Sequence, residues 1–245
     1  MRLKVIGTGS AGNAYRLAAG DSALLLDAGL PARRIIREMR GLTGLCGCLV
    51  THEHGDHIAG ARDLAQMGVD VYATPGTLEA ARLSEPRVRP VRMLEPLEIG
   101  AFTVLPFPTQ HDARQPCGYL VQNRGSGETL LYATDTYYLR NTFPGVNYWL
   151  VECNYCDDVA KAQMEAGEIG KAMRNRLLGS HMSLKRLEDT LAANDLTDTR
   201  KIVLCHLSDA RSDERLMVDA ISALTGIDTV AASAGMEIDL NLTPF

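Results

Sequence analysis

"THEHGDHIAG" (residues 51–60) sets three histidines and two acids in six consecutive positions, in a chain of 245 residues that has only six histidines. His52 and His54 follow the apolar run "CLV" at a spacing of two, so in an extended chain their side chains fall on the same side. Gly55 permits a sharp turn, Asp56 and His57 follow it, and "HIAGARDLAQMG" then has the pattern of a helix. A strand end, a tight turn and a helix start can together aim four ligating groups into one small volume. Four ligands could complete one structural zinc, but imidazole and carboxylate without thiolate are more typical of catalytic sites that keep a position for water.

Around this stretch, short β-branched and leucine-rich runs recur at 3–6, 23–29, 48–52, 69–74, 102–107, 118–122, 129–135, 148–154 and 201–206, and read as strands. Helical patterns lie between several of them, including "PARRIIREMR", "TPGTLEAARLS", "SLKRLEDTLAAN" and "SDERLMVDAISALTG". In the first, Arg33, Arg37 and Arg40 share one face and Ile35, Ile36 and Met39 the other, as on a surface helix. No linker or low-complexity segment interrupts the pattern, so one layered α/β domain over 1–245 is the expectation. His111 follows "FTVLPFPTQ", Asp135 ends "TLLYATD" and His206 ends "KIVLCH"; each lies at the C-terminal end of a predicted strand, the edge where α/β proteins place their sites. Seven nitrogen and oxygen ligands are too many for one tetrahedral ion and suit two ions about 3.5–4 Å apart that share a carboxylate.

"GTGSAG" (7–12) satisfies the dinucleotide fingerprint, yet only "NAYRLAAGDS" separates it from the next strand and Gly20-Asp21-Ser22 is a turn signal, so strand, turn, strand is expected there. Six cysteines without a signal segment fit reduced thiols, and Cys153 with Cys156 is a lone C-x-x-C pair, a weak zinc signal. The opening residues are too short an apolar run for a secretory signal and no stretch approaches the roughly 18 apolar residues of a membrane span, so a soluble, cytoplasmic protein is expected. A net charge of −5 argues against broad binding to nucleic acid, but from 169 to 187 five cations (Lys171, Arg174, Arg176, Lys185 and Arg186) occur with no acid, a local field suited to an anionic substrate or two solvated helix faces.

"THEHGDHIAG" with downstream His111, Asp135 and His206 resembles the metallo-β-lactamase superfamily over essentially the whole chain. The resemblance implies a four-layer αββα sandwich with a dinuclear site at one edge. By it, His52, His54 and His111 would hold one metal, Asp56, His57 and His206 the other, and Asp135 would bridge them. The order of "GTGSAGNAY", "LLLDAG", "TQHDARQPCGYLV", "YATDT", "VECNY", "GSHMS" and "VLCHLSDARSD" is similar to the YycJ/WalJ-like subfamily, which lacks the inserted β-CASP domain and is associated with 5′-to-3′ exonuclease action on DNA. Tyr155 of "ECNYCDD" stands where that subfamily has a histidine.

Asp27, ending "ALLLDAG", reads as a helix N-cap, a turn residue or an acceptor behind a ligand histidine; the resemblance favours the third. Glu53 alternates away from His52 and His54, outside the ligand set. Asp56 and His181 are the candidate catalytic residues, His181 also reading as a residue that packs or caps before the helix near Ser183. Ser10 and Asn13, which otherwise shape their turn, are candidate substrate contacts with Asn154, Lys185 and Arg186. The leading expectation is hydrolysis of phosphodiester bonds in nucleic acid, DNA ahead of RNA, with two divalent ions, Zn²⁺ first and Mn²⁺ second. The alternative is a small-molecule thioester or ester hydrolase of glyoxalase II type with the same ligands. A protein whose metals only hold the fold is a third reading.

Overall fold

The strands that read as unbroken apolar runs do so because both their faces are covered. In the computed structural model, which describes residues 1–167, 179–208 and 211–241, these strands build two sheets of seven. The first contains β1 (Arg2–Gly7), β2 (Ala14–Ala19), β3 (Ser22–Leu26), β4 (Leu45–Leu49), β5 (Val71–Ala73), β6 (Val88–Pro90) and β14 (Glu237–Asp239), in the order β14-β1-β2-β3-β4-β5-β6. The second contains β7 (Leu97–Ile99), β8 (Phe102–Pro108), β9 (Cys117–Asn123), β10 (Thr129–Ala133), β11 (Tyr148–Glu152), β12 (Lys201–Cys205) and β13 (Asp228–Ala231), in the order β13-β12-β11-β10-β9-β8-β7. Helices α1 (Ala32–Met39), α2 (Gly55–Ile58), α3 (Ala61–Gln66) and α4 (Pro75–Ala81) lie within the first half of the chain. Helices α5 (Asp157–Glu165), α6 (Leu184–Ala192) and α7 (Glu214–Thr225) lie within the second.

Alternation along each strand sorts its side chains between two cores. In β10, Leu130 and Tyr132 enter the core between the sheets, while Leu131 and Ala133 enter an outer core with Leu187 and Leu191 of α6 and Met217 and Ile221 of α7. Trp149 and Val151 of β11, and Ile202 and Leu204 of β12, fill the same outer core, their neighbours Tyr148, Leu150, Val203 and Cys205 the central one. On the other side, Leu25 leaves Leu24 and Leu26 in the central core to pack with Ile35 of α1 and Leu64 of α3. Helix, sheet, sheet and helix thus form one four-layer domain, as the αββα expectation has it.

Each sheet is part antiparallel and part parallel, and β3 to β6 and β10 to β13 are the parallel runs. Because β8 is antiparallel to β9 and β9 to β10, β8 points the same way as β10. The C-terminal ends of β3, β4, β8, β10, β11 and β12 therefore deliver "DAG", "THEH", "TQH", "TDT", "ECN" and "HLS" to the two sheet edges that carry the site. The loop 8–13 joins β1 to antiparallel β2, the strand, turn, strand expected of "GTGSAG".

Three local expectations are corrected. The helix expected from His57 is two pieces, α2 and α3, broken at Gly60, whose N–H donates to the Ala28 carbonyl at 2.8 Å and whose missing β-carbon makes room for the Leu30 carbonyl. Gly55 is not a special turn residue: it is the first residue of α2, and a β-carbon there would meet nothing. The glycine that the site needs is Gly29, where a β-carbon would collide with the carbonyl of Asp56. The short edge strands β6, β7, β13 and β14 carry no apolar run and lie outside the expected strands. Among the described residues no helix is long and apolar enough to cross a membrane, and all six cysteines are free thiols.

Gly29→Ala should therefore cost about 1–3 kcal/mol through overpacking, lowering the melting temperature of the chelator-treated protein by several degrees at roughly 2–4 °C per kcal/mol for this size. Gly55→Ala should raise it slightly, by about 0.4–1 kcal/mol of reduced unfolded-state entropy; thermal unfolding of the two variants side by side checks both.

Candidate metal centre

The site is built from strand ends whose backbone turns sharply over the sheet edge. Asp27 and His206 each directly follow a strand, Asp135 is the second residue after one, and all three lie in the left-handed region, at φ 57°, 55° and 47° in that order. Non-glycine residues are held there only when their surroundings fix them, a pattern concentrated at functional sites.

Asp27 is fully buried and its carboxylate accepts from the Thr51 N–H at 2.8 Å, the Thr51 hydroxyl at 3.0 Å, the Tyr132 hydroxyl at 2.6 Å and His57 Nδ1 at 2.7 Å. Of its three readings, the acceptor behind a histidine is the one the geometry matches. Asp27 accepts a hydrogen bond from Nδ1–H of His57, which turns Nε2 inward as the atom available to a cation. The same logic repeats. His52 Nδ1 lies 3.0 Å from Thr51 Oγ1, and His111 Nδ1 lies 2.9 Å from the Ser180 carbonyl. His206 Nδ1 lies 3.1 Å from the Asn154 amide nitrogen and 3.4 Å from Glu152 Oε1. In all four rings Nε2 points into the cluster; His54 turns Nδ1 inward instead.

Among the described residues, three groups of convergent donor atoms share Asp135: the two ligand sets expected from the sequence, and Asp135 with Glu152, His181 and His206. His54 Nδ1 lies 3.1 Å from both His52 Nε2 and His111 Nε2, and Asp135 Oδ2 stands 3.8 Å from the former and 3.5 Å from the latter. Asp135 Oδ1 lies 3.3 Å from both His57 Nε2 and His206 Nε2, and Asp56 Oδ2 lies 3.6 Å from each of the same two nitrogens. Asp135 thus turns one oxygen to each set, and within each set the donor atoms lie within 4.8 Å of one another. The edge of a tetrahedron with ligand distances of about 2.0–2.1 Å measures about 3.3 Å, so these spacings fit small cations. His206 Nε2 is buried without a hydrogen-bond partner, an arrangement costly for a polar atom unless a ligand satisfies it.

Electrostatics agree with that fit. Burial, then the neighbouring His57 imidazole, push His52 well below its ordinary value, into the neutral form a cation needs. Burial alone would raise Asp135, but His206 and His57 outweigh it and hold the carboxyl well below the usual range. Asp56 behaves alike, burial opposed by His206 and His57. Burial works against a charged His206, yet the carboxylates of Asp135, Asp56 and Glu152 push it up to about 10. The carboxylates draw positive charge into the cluster; a divalent cation would supply it in one step.

Beside this cluster sits a pair that sequence reasoning missed in part. Glu152, fully buried, holds His181 Nδ1 at 2.7 Å and accepts from the Thr136 and Met182 N–H groups at 2.8 and 3.2 Å. His181 stacks on His206 at 5.4 Å and lies 5.6 Å from the His111 ring. Glu152 does carry a sequence signal: like Asp27 and Asp135, it is an acid at the end of an apolar strand. Thr8, which accepts from the His206 N–H at 3.0 Å and from Tyr15, had no such signal.

The remaining candidates divide. Asn13 lies at the floor, its amide nitrogen 3.2 Å from His57 Nε2 and its oxygen accepting from the Gly9 N–H, whereas Ser10 is exposed in the same loop. Asn154 is buried behind His206, donating to its carbonyl at 2.8 Å, and so positions that ring rather than facing outward. Arg186 lies over the Tyr137 ring at 5.3 Å and donates to its carbonyl at 3.3 Å. Lys185 is exposed and pairs with Asp189 of its own helix at 2.9 Å. Lys171, Arg174 and Arg176 of the cationic window lie outside the described residues. Glu53 turns away from the cluster, accepting from the Arg114 N–H at 2.6 Å.

Two mixed sheets between helices, with clustered histidines and aspartates at one edge, define a class of enzyme. Residues 23–207 match the family described as Beta-lactamase superfamily domain, and the chain belongs to that superfamily, a hydrolase with a candidate His/Asp cluster for divalent metal. Over 260 aligned residues it is 25% identical to the exodeoxyribonuclease WalJ of Streptococcus pneumoniae serotype 2 (strain D39 / NCTC 7466), covering 98% of this chain and 93% of that protein. It is 29% identical over 224 residues to the exodeoxyribonuclease YycJ of Bacillus anthracis, covering 85% and 83%. Among solved structures, the metallo-beta-lactamase fold protein YhfI from Bacillus subtilis matches with a TM-score of 0.74 over 97% of this chain and 99% of that one, at 18% identity.

Removing the acceptor behind His57 tests the cluster without touching a donor atom. Asp27→Asn should weaken divalent-metal affinity about 10–100-fold, read by competition with a chelating dye.

Proposed function

We propose that the chain is a metal-dependent phosphodiesterase acting on nucleic acid, a 5′-to-3′ exonuclease on DNA, working in the cytoplasm as one catalytic unit without a β-CASP insertion. The observation that carries the reading is the pair of thiolate-free donor sets sharing Asp135, with His181 backed by Glu152 at their edge. The exodeoxyribonuclease names of two relatives that span most of this chain support nucleic acid as the substrate class.

In this reading His52, His54 and His111 would hold one ion, Asp56, His57 and His206 the second, and Asp135 both. All-nitrogen-and-oxygen donors suit Zn²⁺ first and Mn²⁺ second. When bound, such ions supply Lewis acidity, bringing the pKa of water to about 7 and neutralising charge on phosphoryl oxygens. The protein's own residues do the rest. Asp56 is the cluster carboxylate that stays open, its side chain 27% exposed against 4% for Asp135, so it can orient an attacking water and accept its proton. His181 stands with Nδ1 tied to Glu152, which directs Nε2 outward. Burial opposes protonation there, but the Glu152 carboxylate outweighs it and raises His181 above its ordinary value. A protonated imidazole at that position can give Nε2–H to the departing oxygen. Arg186 adds a fixed cation beside the same edge.

The deciding experiment incubates metal-loaded protein with end-labelled, 5′-phosphorylated single- and double-stranded DNA and with RNA. Stepwise loss from the 5′ end of DNA is expected; no cleavage of any of these above an Asp56→Ala control, under either Zn²⁺ or Mn²⁺, rejects the proposal, and turnover of an acyl-glutathione thioester instead would favour the glyoxalase II type of chemistry. His181→Ala should lower kcat by roughly 10²–10⁴-fold, the range of general acid–base assistance, with metal content by elemental analysis unchanged because His181 belongs to neither of the two ligand sets of this reading.

A further inference from the structure

Beside the cluster, the loop that follows β10 and one face of α6 enclose a cavity of about 310 Å³. The loop supplies Tyr138 and Arg140 to its wall, and the helix supplies Arg186, Asp189 and Asn194. This wall is preformed. Leu139 and Phe143 are buried anchors on either side of Arg140, the Tyr138 carbonyl accepts from Thr136 Oγ1 at 2.8 Å, and the Phe143 N–H donates to Asn194 Oδ1 at 2.6 Å.

Two side chains on this rigid frame have no structural employment. The Tyr138 ring is 49% exposed and belongs to none of the cores, although the loop that carries it is pinned. Arg140 is exposed, and among the described residues its guanidinium has no carboxylate or carbonyl partner. The acid in the wall, Asp189, is occupied by Lys185 at 2.9 Å, which leaves the positive charge of Arg140 uncancelled. Position matters as much as chemistry. Tyr138 is three residues beyond Asp135, so their Cα atoms are at most about 11 Å apart, within reach of the first or second nucleotide from a phosphate seated on the cluster.

We propose that this cavity is a subsite for one unpaired nucleotide adjoining the scissile phosphate, its base stacked on Tyr138 and its backbone phosphate paired with Arg140. The proposal rests on the nucleic-acid reading above and deepens it. A volume near the lower end of the usual ligand-pocket range has room for one base and none for a base pair, so a duplex end must fray by that nucleotide before it can seat. Stacking on an aromatic ring with a neighbouring cation is also how sequence-tolerant single-strand sites work.

Equilibrium binding to a labelled, phosphorothioate-linked single DNA strand that resists cleavage tests this in the metal-loaded protein. The strand is used intact and with one abasic nucleotide scanned along its length. Tyr138→Ala should weaken binding about 5- to 150-fold, the value of one stacked base, while Tyr138→Phe keeps wild-type affinity. In the wild type, an abasic nucleotide at one position within two of the cleaved end should reproduce that loss, and in Tyr138→Ala the same abasic strand should lose nothing more. Arg140→Gln should reduce the salt dependence of binding by about one phosphate contact. Wild-type affinity in Tyr138→Ala, or an abasic penalty that persists undiminished in it, overturns the subsite while leaving the nuclease reading standing. A wild-type protein that neither binds nor cleaves DNA or RNA removes both. Tyr138 is half exposed, so its replacement costs the fold little.

Discussion

The carboxylate of Asp27 is the joint on which the site depends. A buried carboxylate is several kcal/mol too costly to keep unless it is fully hydrogen-bonded, and here its donors come from both sheets: Thr51 and His57 from the first half of the chain, Tyr132 from β10 of the second. One anion therefore fixes the angle between two sheet edges and the orientation of an imidazole at once. Moving any donor would strand the charge, so the position of His57 is set by the same constraint that closes the sandwich at this end.

From that joint the rest of the cluster follows by repetition. Asp27, Asp135 and His206 occupy the same left-handed backbone state within two residues of the ends of β3, β10 and β12, each costing of order 1–3 kcal/mol. The turn folds each side chain back over its own sheet edge. Hydrogen bonds behind the rings, to Asp27, Thr51 and the Ser180 carbonyl, then aim the inner nitrogens. Loops positioned by stiff strand ends can be held more closely than loops alone, and both donor sets draw on both sheets: His111 joins His52 and His54, and His206 joins Asp56 and His57.

Much of this could be read from the chain. The density of histidine in 52–57 and the lone polar residues at the ends of apolar strands mark His111, Asp135 and His206, because burying such groups makes sense only if they are satisfied together; Asp27 carries three readings until the resemblance or its partners decide among them. Runs such as "ALLLD" and "YWLVE" gave the layering, since a strand covered on both faces has no polar alternation. The same rule points to Glu152, the acid that closes β11. What stayed illegible had no local signature. Asn154 looks like any polar loop residue until His206 is seen resting on it. Gly55 attracts notice by its neighbours, whereas Gly29 and Gly60, where the backbone of another segment passes, are indistinguishable from ordinary turn glycines. Strands β6 and β14 are three-residue ladders at sheet edges, held by one partner each, and need no apolar run.

The hydrogen bond from the His206 N–H to Thr8 spans 198 positions, and β1 pairs with β14 through Arg2 opposite Asp239. Contacts this remote in sequence form late, because the intervening chain must first be closed. On the ribosome the second donor set has no correctly held His206 until nearly all of the described chain has emerged. The second donor set is thereby the later of the two to be completed, whereas His52, His54, His111 and Asp135 of the first all lie within the first 135 residues.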